Sequence, residues 1–138
     1  MDTLLCLPGA SIEVEAFEGE DVSFRCSHKY ASTNHKYLCK DQCADGGDKL
    51  VTVQAGGRAA SGRITLVDSG DGGFTVTFSH LQLSDTGQYW CAVERLGFNT
   101  FTEVQVTVCG SSNLSHWSEH TFRFAFHIFS HGCMSTSV

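Results

Sequence analysis

Hydrophobic and polar residues alternate along most of this chain with a period of two. Val22, Phe24 and Cys26 are separated by Ser23 and Arg25, Phe74, Val76 and Phe78 by Thr75 and Thr77, and Val104, Val106 and Val108 by Gln105 and Thr107. Such a pattern buries one face of each strand and wets the other. Turn-forming clusters lie between the runs: EGED at 18–21, ADGGD at 44–48, GG at 56–57 and DSGDGG at 68–73. With one proline and no long helical period, the pattern predicts an all-β chain folded as an antiparallel sandwich. From Cys109 the character changes. CGSSNLSHWSE is polar, and TFRFAFHIF at 121–129 then alternates again. The boundary falls at 108/109, giving an opening segment 1–10, a body 11–108 and a tail 109–138.

Composition narrows the class. A chain of 138 residues holds one domain with a real core. Its net charge of −6 argues against a broad polyanion surface, so nucleic acid is not an expected partner. Seven cysteines point to an oxidising compartment and to disulfides rather than catalytic thiols, with one left over. No segment reaches the roughly 20 apolar residues that cross a bilayer. MDTLLCLPGAS has a short apolar run but no basic start, and reads as a signal remnant or an appended start.

The cysteines organise the middle of the chain. Cys26 ends an alternating strand and Cys91 closes LSDTGQYWC. A bridge between them would cross-link two sheets and close a loop of about 65 residues, worth about 4 kcal/mol in chain entropy. Tyr89 lies two residues before Cys91 and faces the same way, the spacing of a tyrosine corner. Asp85, at the turn just before Tyr89, and Arg63, opening the preceding strand RITLV, are placed to form a salt bridge that clamps the base of one sheet to the corner. At these residues the chain resembles a V-type immunoglobulin domain. KYLCK (36–40), RITLVDSGDGGFTVTFSHLQLSDTGQYWC (63–91) and the second cysteine pair narrow the resemblance to single-domain leukocyte receptors related to the polymeric immunoglobulin receptor, nearest the novel immunoglobulin-like transcripts of fish and the triggering receptors of myeloid and natural killer cells. Two features depart from that family. Leu38 stands where strand C usually carries Trp, so a less stable sandwich, or compensation from Phe24, Phe74 and Phe78, is expected. The second cysteine pair, Cys39 and Cys43, is also more closely spaced than in relatives.

If Leu38 points into the core, Cys39 faces outward. A disulfide needs Cα atoms about 4.4–6.8 Å apart, whereas four extended steps span about 13 Å, so the polar KDQ between the cysteines must turn. The pair then pins the C–C′ turn. A zinc site using Cys39, Cys43, His28 and His35 lacks a second tight ligand pair, and a redox pair would more naturally be CxxC beside a helix. DSGDGG lacks the distal Glu of a calcium loop and reads as a turn. With no GxSxG elbow or HExxH helix, catalysis, a metal and a cofactor are not expected. Asn113 begins a glycosylation acceptor, Asn-Leu-Ser.

The V-type resemblance implies three loops gathered at one end, here 27–35, 54–61 and 94–100. The candidate ligand contacts are Lys29, Tyr30 and His35 in the first loop and Arg95, Leu96, Phe98 and Asn99 in the third. Phe98 either anchors a partner or folds back on the sandwich edge; Lys29 either selects an anionic group or is solvated. Trp90 alternates out of the core onto the outer GFCC′ face, which serves dimer contacts in related domains, so Trp90 is an interface candidate and a homodimer is one expectation. The tail reads as stalk-like or alternatively spliced. Cys109 and Cys133 are candidates to bridge within it, and Cys6 is then the odd thiol. The implied function is an extracellular, non-enzymatic recognition module of innate immunity: the ectodomain of a type I membrane receptor, or a secreted decoy form. It would bind a protein or a lipid or glycan on another cell surface, with any membrane association coming from segments outside this chain. An antigen-receptor variable domain is the rival, but GFNTFTEVQVTV at 97–108 lacks the FGxG segment expected of it.

Overall fold

In the computed structural model, residues 11–43 and 49–110 are described. The expectations for residues 1–10 with Cys6, for the ADGGD turn, and for the tail with Asn113 and Cys133 lie outside them. Among the described residues, nine strands run in chain order: β1 (Ile12–Phe17), β2 (Val22–Ser27), β3 (Lys36–Lys40), β4 (Lys49–Val53), β5 (Arg58–Ser61), β6 (Ile64–Asp68), β7 (Gly73–Phe78), β8 (Gly87–Glu94) and β9 (Asn99–Cys109), with a single 3₁₀ turn at Leu83–Asp85 before β8.

The strands form two sheets, ordered β1-β9-β8-β3-β4 and β2-β7-β6-β5. All neighbours are antiparallel except β1, which runs parallel to β9 with Ile12 opposite Val104 and Phe17 opposite Cys109. The three alternating runs read from the sequence are strands β2, β7 and the second half of β9. Their inward residues Cys26, Phe74, Val76, Phe78, Val104, Val106 and Val108 join Val14, Leu38, Leu66, Tyr89 and Cys91 in one core between the sheets. Cys26 on β2 and Cys91 on β8 are bridged across it, with Cα atoms 6.4 Å apart. Leu38, in the place of the usual Trp, is fully buried. In the same core, Phe78 meets Tyr89 edge-on at 5.2 Å, and Phe24 stacks on Phe78 at 6.3 Å.

Two loop boundaries differ from expectation. The second loop was expected over 54–61, but Arg58–Ser61 is strand β5, paired with β6 from Arg58 opposite Val67 to Ser61 opposite Ile64. Without it, the backbone edge of β6 would lack hydrogen-bond partners. The loop proper is only 54–57, closed by Gly57 N–H donating to the Gln54 carbonyl at 2.9 Å. In the third loop, Glu94 ends β8 and Asn99 opens β9, so the connection is 95–98.

The tyrosine corner is present. Tyr89 donates its hydroxyl to the Asp85 carbonyl at 2.6 Å, and burial raises its pKa to about 12. The Arg63 guanidinium grips both Asp85 carboxylate oxygens at 2.8 Å and also donates to the carbonyls of Ser79 and His80. That bidentate bond leads the effects holding the Asp85 carboxyl below the usual carboxylate range. The base of the sandwich is thereby fixed, and the loops at the other end hang from strands that cannot slide.

Candidate functional site

β3 is the strand on which the loop end is built. All of Lys36, Tyr37, Leu38 and Cys39 are buried, because both faces of this strand are covered. Lys36 is in phase with Leu38 and points inward. Its ammonium meets Asp68 Oδ2 at 2.6 Å, with both side chains fully buried, and it also donates to the Ala31 carbonyl. Burial pushes the Asp68 carboxyl up, but the Lys36 ammonium and the N–H groups of Gly70 and Gly56 outweigh it and hold it below the usual range. This pair ties the first loop, β3 and the end of β6 into one unit. DSGDGG is therefore more than turn chemistry: its first acid is a core residue, while Asp71 pairs with Arg25 at 2.8 Å on the surface. Gly72, at φ +100°, is needed here, since a Cβ would lie 2.8 Å from the His28 carbonyl.

The first and third loops are tied to each other by Arg95. Its guanidinium donates to the carbonyls of Lys29 at 2.7 Å and Tyr30 at 3.1 Å, and to Thr100 Oγ1 at 3.0 Å. Its backbone N–H donates to Asn99 Oδ1, and Asn99 Nδ2 donates to the Tyr37 hydroxyl at 2.9 Å. Arg95 and Asn99, both ligand candidates from the sequence, thus spend their side chains on the frame. Among the described residues no carboxylate pairs with Arg95, so its positive charge remains beneath the loop tips. Asn34 Nδ2 adds a bond to the Glu94 carbonyl at 2.8 Å. His35 is exposed, 4.0 Å from Glu94, which is itself paired to Lys49 at 2.8 Å.

His28 lies under the two loops, its ring nitrogens 3.0 Å from Thr100 Oγ1 and 3.3 Å from Thr102 Oγ1. Burial, then the charges of Arg95 and Lys36, lower its pKa from 6.5 to about 4. In the unfolded chain this imidazole takes up a proton near 6.5, and in the folded chain only near 4. The unfolded state binds more protons in between, so the stability His28 contributes above that window declines as pH falls through it. An NMR titration is expected to place the His28 midpoint near 4. A His28→Gln variant is expected to lose the matching part of the stability slope; an unchanged slope would remove His28 from the acid response.

Three side chains stand clear of this frame. Leu96 is 97% exposed, Tyr30 92% and Phe98 63%, so Phe98 presents most of its surface to solvent. Tyr30 also holds φ +56°, an uncommon conformation for a bulky residue. Lys29 is exposed beside it. Together they form an apolar crest on a positively charged base.

The outer GFCC′ face is different. Trp90 does lie there, but half-buried, packed with Tyr37, Cys39, Ala92 and Cys43, and its indole N–H donates to the Asp41 carbonyl at 2.6 Å. The Cys39–Cys43 disulfide is present with Cα atoms 5.7 Å apart, so the chain turns between them as expected, and Asp41 takes φ +61° to do it. Cys109 is disulfide-bonded as well. Among the described residues no His, Cys, Asp and Glu side chains cluster as metal ligands.

The sequence reading missed the Lys36–Asp68 pair, His28 and the structural use of Arg95. The first had a signal: Lys36 is in phase with Leu38, and Asp68 with Leu66, so two charges of opposite sign fall on core-facing positions. The others had none, because they depend on which loops meet.

The immunoglobulin V-set domain model matches residues 10–109. CMRF35-like molecule 9 of Mus musculus is 32% identical over 117 residues, covering 75% of this chain and 34% of that protein. Natural cytotoxicity triggering receptor 2 of Homo sapiens is 28% identical over 131 residues, covering 83% of this chain and 47% of the receptor. This chain therefore spans about a third to a half of the length of these curated relatives. Among solved structures, the ectodomain of the teleost fish polymeric Ig receptor superposes with a TM-score of 0.56 at 26% identity, over 71% of this chain and 46% of that one. Tim-2 shares the fold, with a TM-score of 0.61 at 18% identity over 73% of this chain and 94% of its own. With two sheets, the bridged Cys26–Cys91 pair, the tyrosine corner and these relatives in agreement, the chain belongs to the immunoglobulin V-set family and is similar to the V-set domains of immune receptors.

Proposed function

We propose that this chain is the extracellular ligand-recognition domain of an innate immune receptor, non-enzymatic, and that it engages a ligand on another cell surface through Tyr30, Leu96 and Phe98. The observation that carries this reading is the exposure of three large apolar side chains on loops whose backbone is tied down by Arg95 and the Lys36–Asp68 pair. A rigid frame lets them bind without the entropy cost of ordering, and aromatic anchors dominate interface energetics. Lys29 and Arg95 beneath the crest favour a ligand whose apolar contact is surrounded by negative charge. An acidic rim on a protein surface fits this description.

The test is staining of live cells with a fluorescent tetramer of the chain, before and after protease treatment of the cells. Phe98→Ala is expected to weaken each binding site by about tenfold, the equivalent of about 1.4 kcal/mol, and staining to fall with it. Undiminished staining with Phe98→Ala and Leu96→Ala would overturn the assignment to the third loop. Loss after protease identifies a protein ligand; persistence after protease redirects the proposal to a lipid or glycan headgroup.

A further inference from the structure

A second surface lies away from the loop end. On the outer face of β8 and β9, a cleft of about 360 Å³ is lined by Asp41, Gln42, Cys43, Gln88, Trp90 and Phe101. It lies towards the Cys39–Cys43 turn, because Trp90 is opposite Cys39 while the loop end begins at Val93 opposite Lys36. Its floor is aromatic. Trp90 and Phe101 meet edge-on with centroids 6.4 Å apart, and Phe101 is 39% exposed. Trp90 is locked by its bond to the Asp41 carbonyl, while Asp41 N–H donates to the Gln88 carbonyl at 2.8 Å.

The charge around the cleft is of one sign. Among the described residues the Asp41 carboxylate accepts no hydrogen bond and pairs with no cation. Glu103, directly opposite Trp90 across the strands, accepts from the Gln88 amide and, among the described residues, pairs with no cation. The nearest lysine in sequence, Lys40, turns to the other face of β3, towards the Ser84 carbonyl and the Tyr89 ring. The cleft therefore offers two aromatic side chains and Asp41, with Glu103 on the strand beside it and, among the described residues, no cation lining it.

We propose that this cleft receives an arginine side chain presented by a protein partner, as a docking point separate from the loop crest. A guanidinium is flat enough to stack on one of the two nearly perpendicular rings, and its fork of N–H donors suits the Asp41 carboxylate, with Glu103 on the neighbouring strand adding a second negative charge. Lysine, a compact and strongly hydrated charge, exploits the aromatic floor less well.

The test is an NMR titration of the intact, disulfide-bonded chain with the blocked tripeptide acetyl-Gly-Arg-Gly-amide, with its citrulline analogue as the uncharged control of equal shape. Saturable shifts are expected at the Trp90 indole N–H and the Asp41 and Gln88 amides. Affinity is expected to fall at least fivefold for the citrulline peptide and for the Asp41→Asn, Glu103→Gln double variant; Asn tolerates the positive φ of position 41. Three results would overturn the proposal: no saturable shift at this locus, equal shifts with citrulline, or the same signals moving when the protein alone is concentrated. The last would assign the face to a second copy of the chain.

Discussion

Replacing Cys26 and Cys91 together by alanine is expected to destabilise the chain by about 4 kcal/mol, while replacing Cys39 and Cys43 costs about 2 kcal/mol. The difference follows from loop size. The first bridge joins residues 65 apart and the second residues 4 apart, and the entropy removed from the unfolded chain grows with the logarithm of the loop. Domains of this size hold only about 5–15 kcal/mol in total. The loss of Cys26–Cys91 thus removes a large share of stability and lowers Tm by about 15–30 °C, at about 4–8 °C per kcal/mol. Both sulfurs are also fully buried between the sheets, so the alanines leave a cavity at the centre of the core. Guanidinium denaturation of the two double variants under non-reducing conditions measures the contrast. Equal losses would show that loop size is not what makes the inter-sheet bridge matter.

The second large effect is expected at the buried ion pair. Lys36→Met leaves the Asp68 carboxylate fully buried without its cation, and a cost of about 3–5 kcal/mol is expected. The loss includes the bond to the Ala31 carbonyl, so the first loop is expected to loosen and the exposed Tyr30 with it. Replacing both partners, as Lys36→Met with Asp68→Val, is expected to recover part of the stability, since no unpaired charge is then buried, while the Gly70 N–H loses its acceptor. A double-mutant cycle by thermal denaturation at neutral pH reads the coupling directly. Additive losses would show that the two charges do not depend on each other. The pH response has a defined sign. The folded Asp68 carboxyl titrates below its ordinary value of 3.8, so its contribution is complete above that value and is lost as pH falls through the lower folded one. Asp85, held down by Arg63, adds in the same direction.

What was legible in the sequence was whatever depends on residues close in the chain or on alternation. The strands β2, β7 and β9 follow from period two, and the position of Leu38 in the core follows from its phase. The Cys39–Cys43 staple could be argued because four residues of chain are short enough for covalent geometry to decide. The Arg63–Asp85 clamp and the Tyr89 corner were legible for another reason: their spacing matched that of a known family. Less was legible at the loop end. Strand β5 has small residues and no alternation of large apolar groups, so only its pairing with β6 reveals it. Arg95 reads as a ligand contact, as an arginine on an exposed loop does. It also ties together two loops that are 65 residues apart in sequence, which no local pattern announces.

By itself, the sequence determined the alternating strands, their inward faces and the cysteines available to join them, because periodicity and spacing act over a few residues and alternation forces a side chain in or out of the core. The tertiary structure alone decided how the loop end and the buried Lys36–Asp68 pair are put together. Lys36 and Asp68 find each other only when β3 and β6 are brought together across the core, and Tyr30, Leu96 and Phe98 form one exposed crest only when the first and third loops meet. The acidic cleft on the other face likewise needs the C–C′ turn laid against β8 and β9. Each is a long-range juxtaposition, and no local pattern in the chain encodes which distant segment will supply the partner.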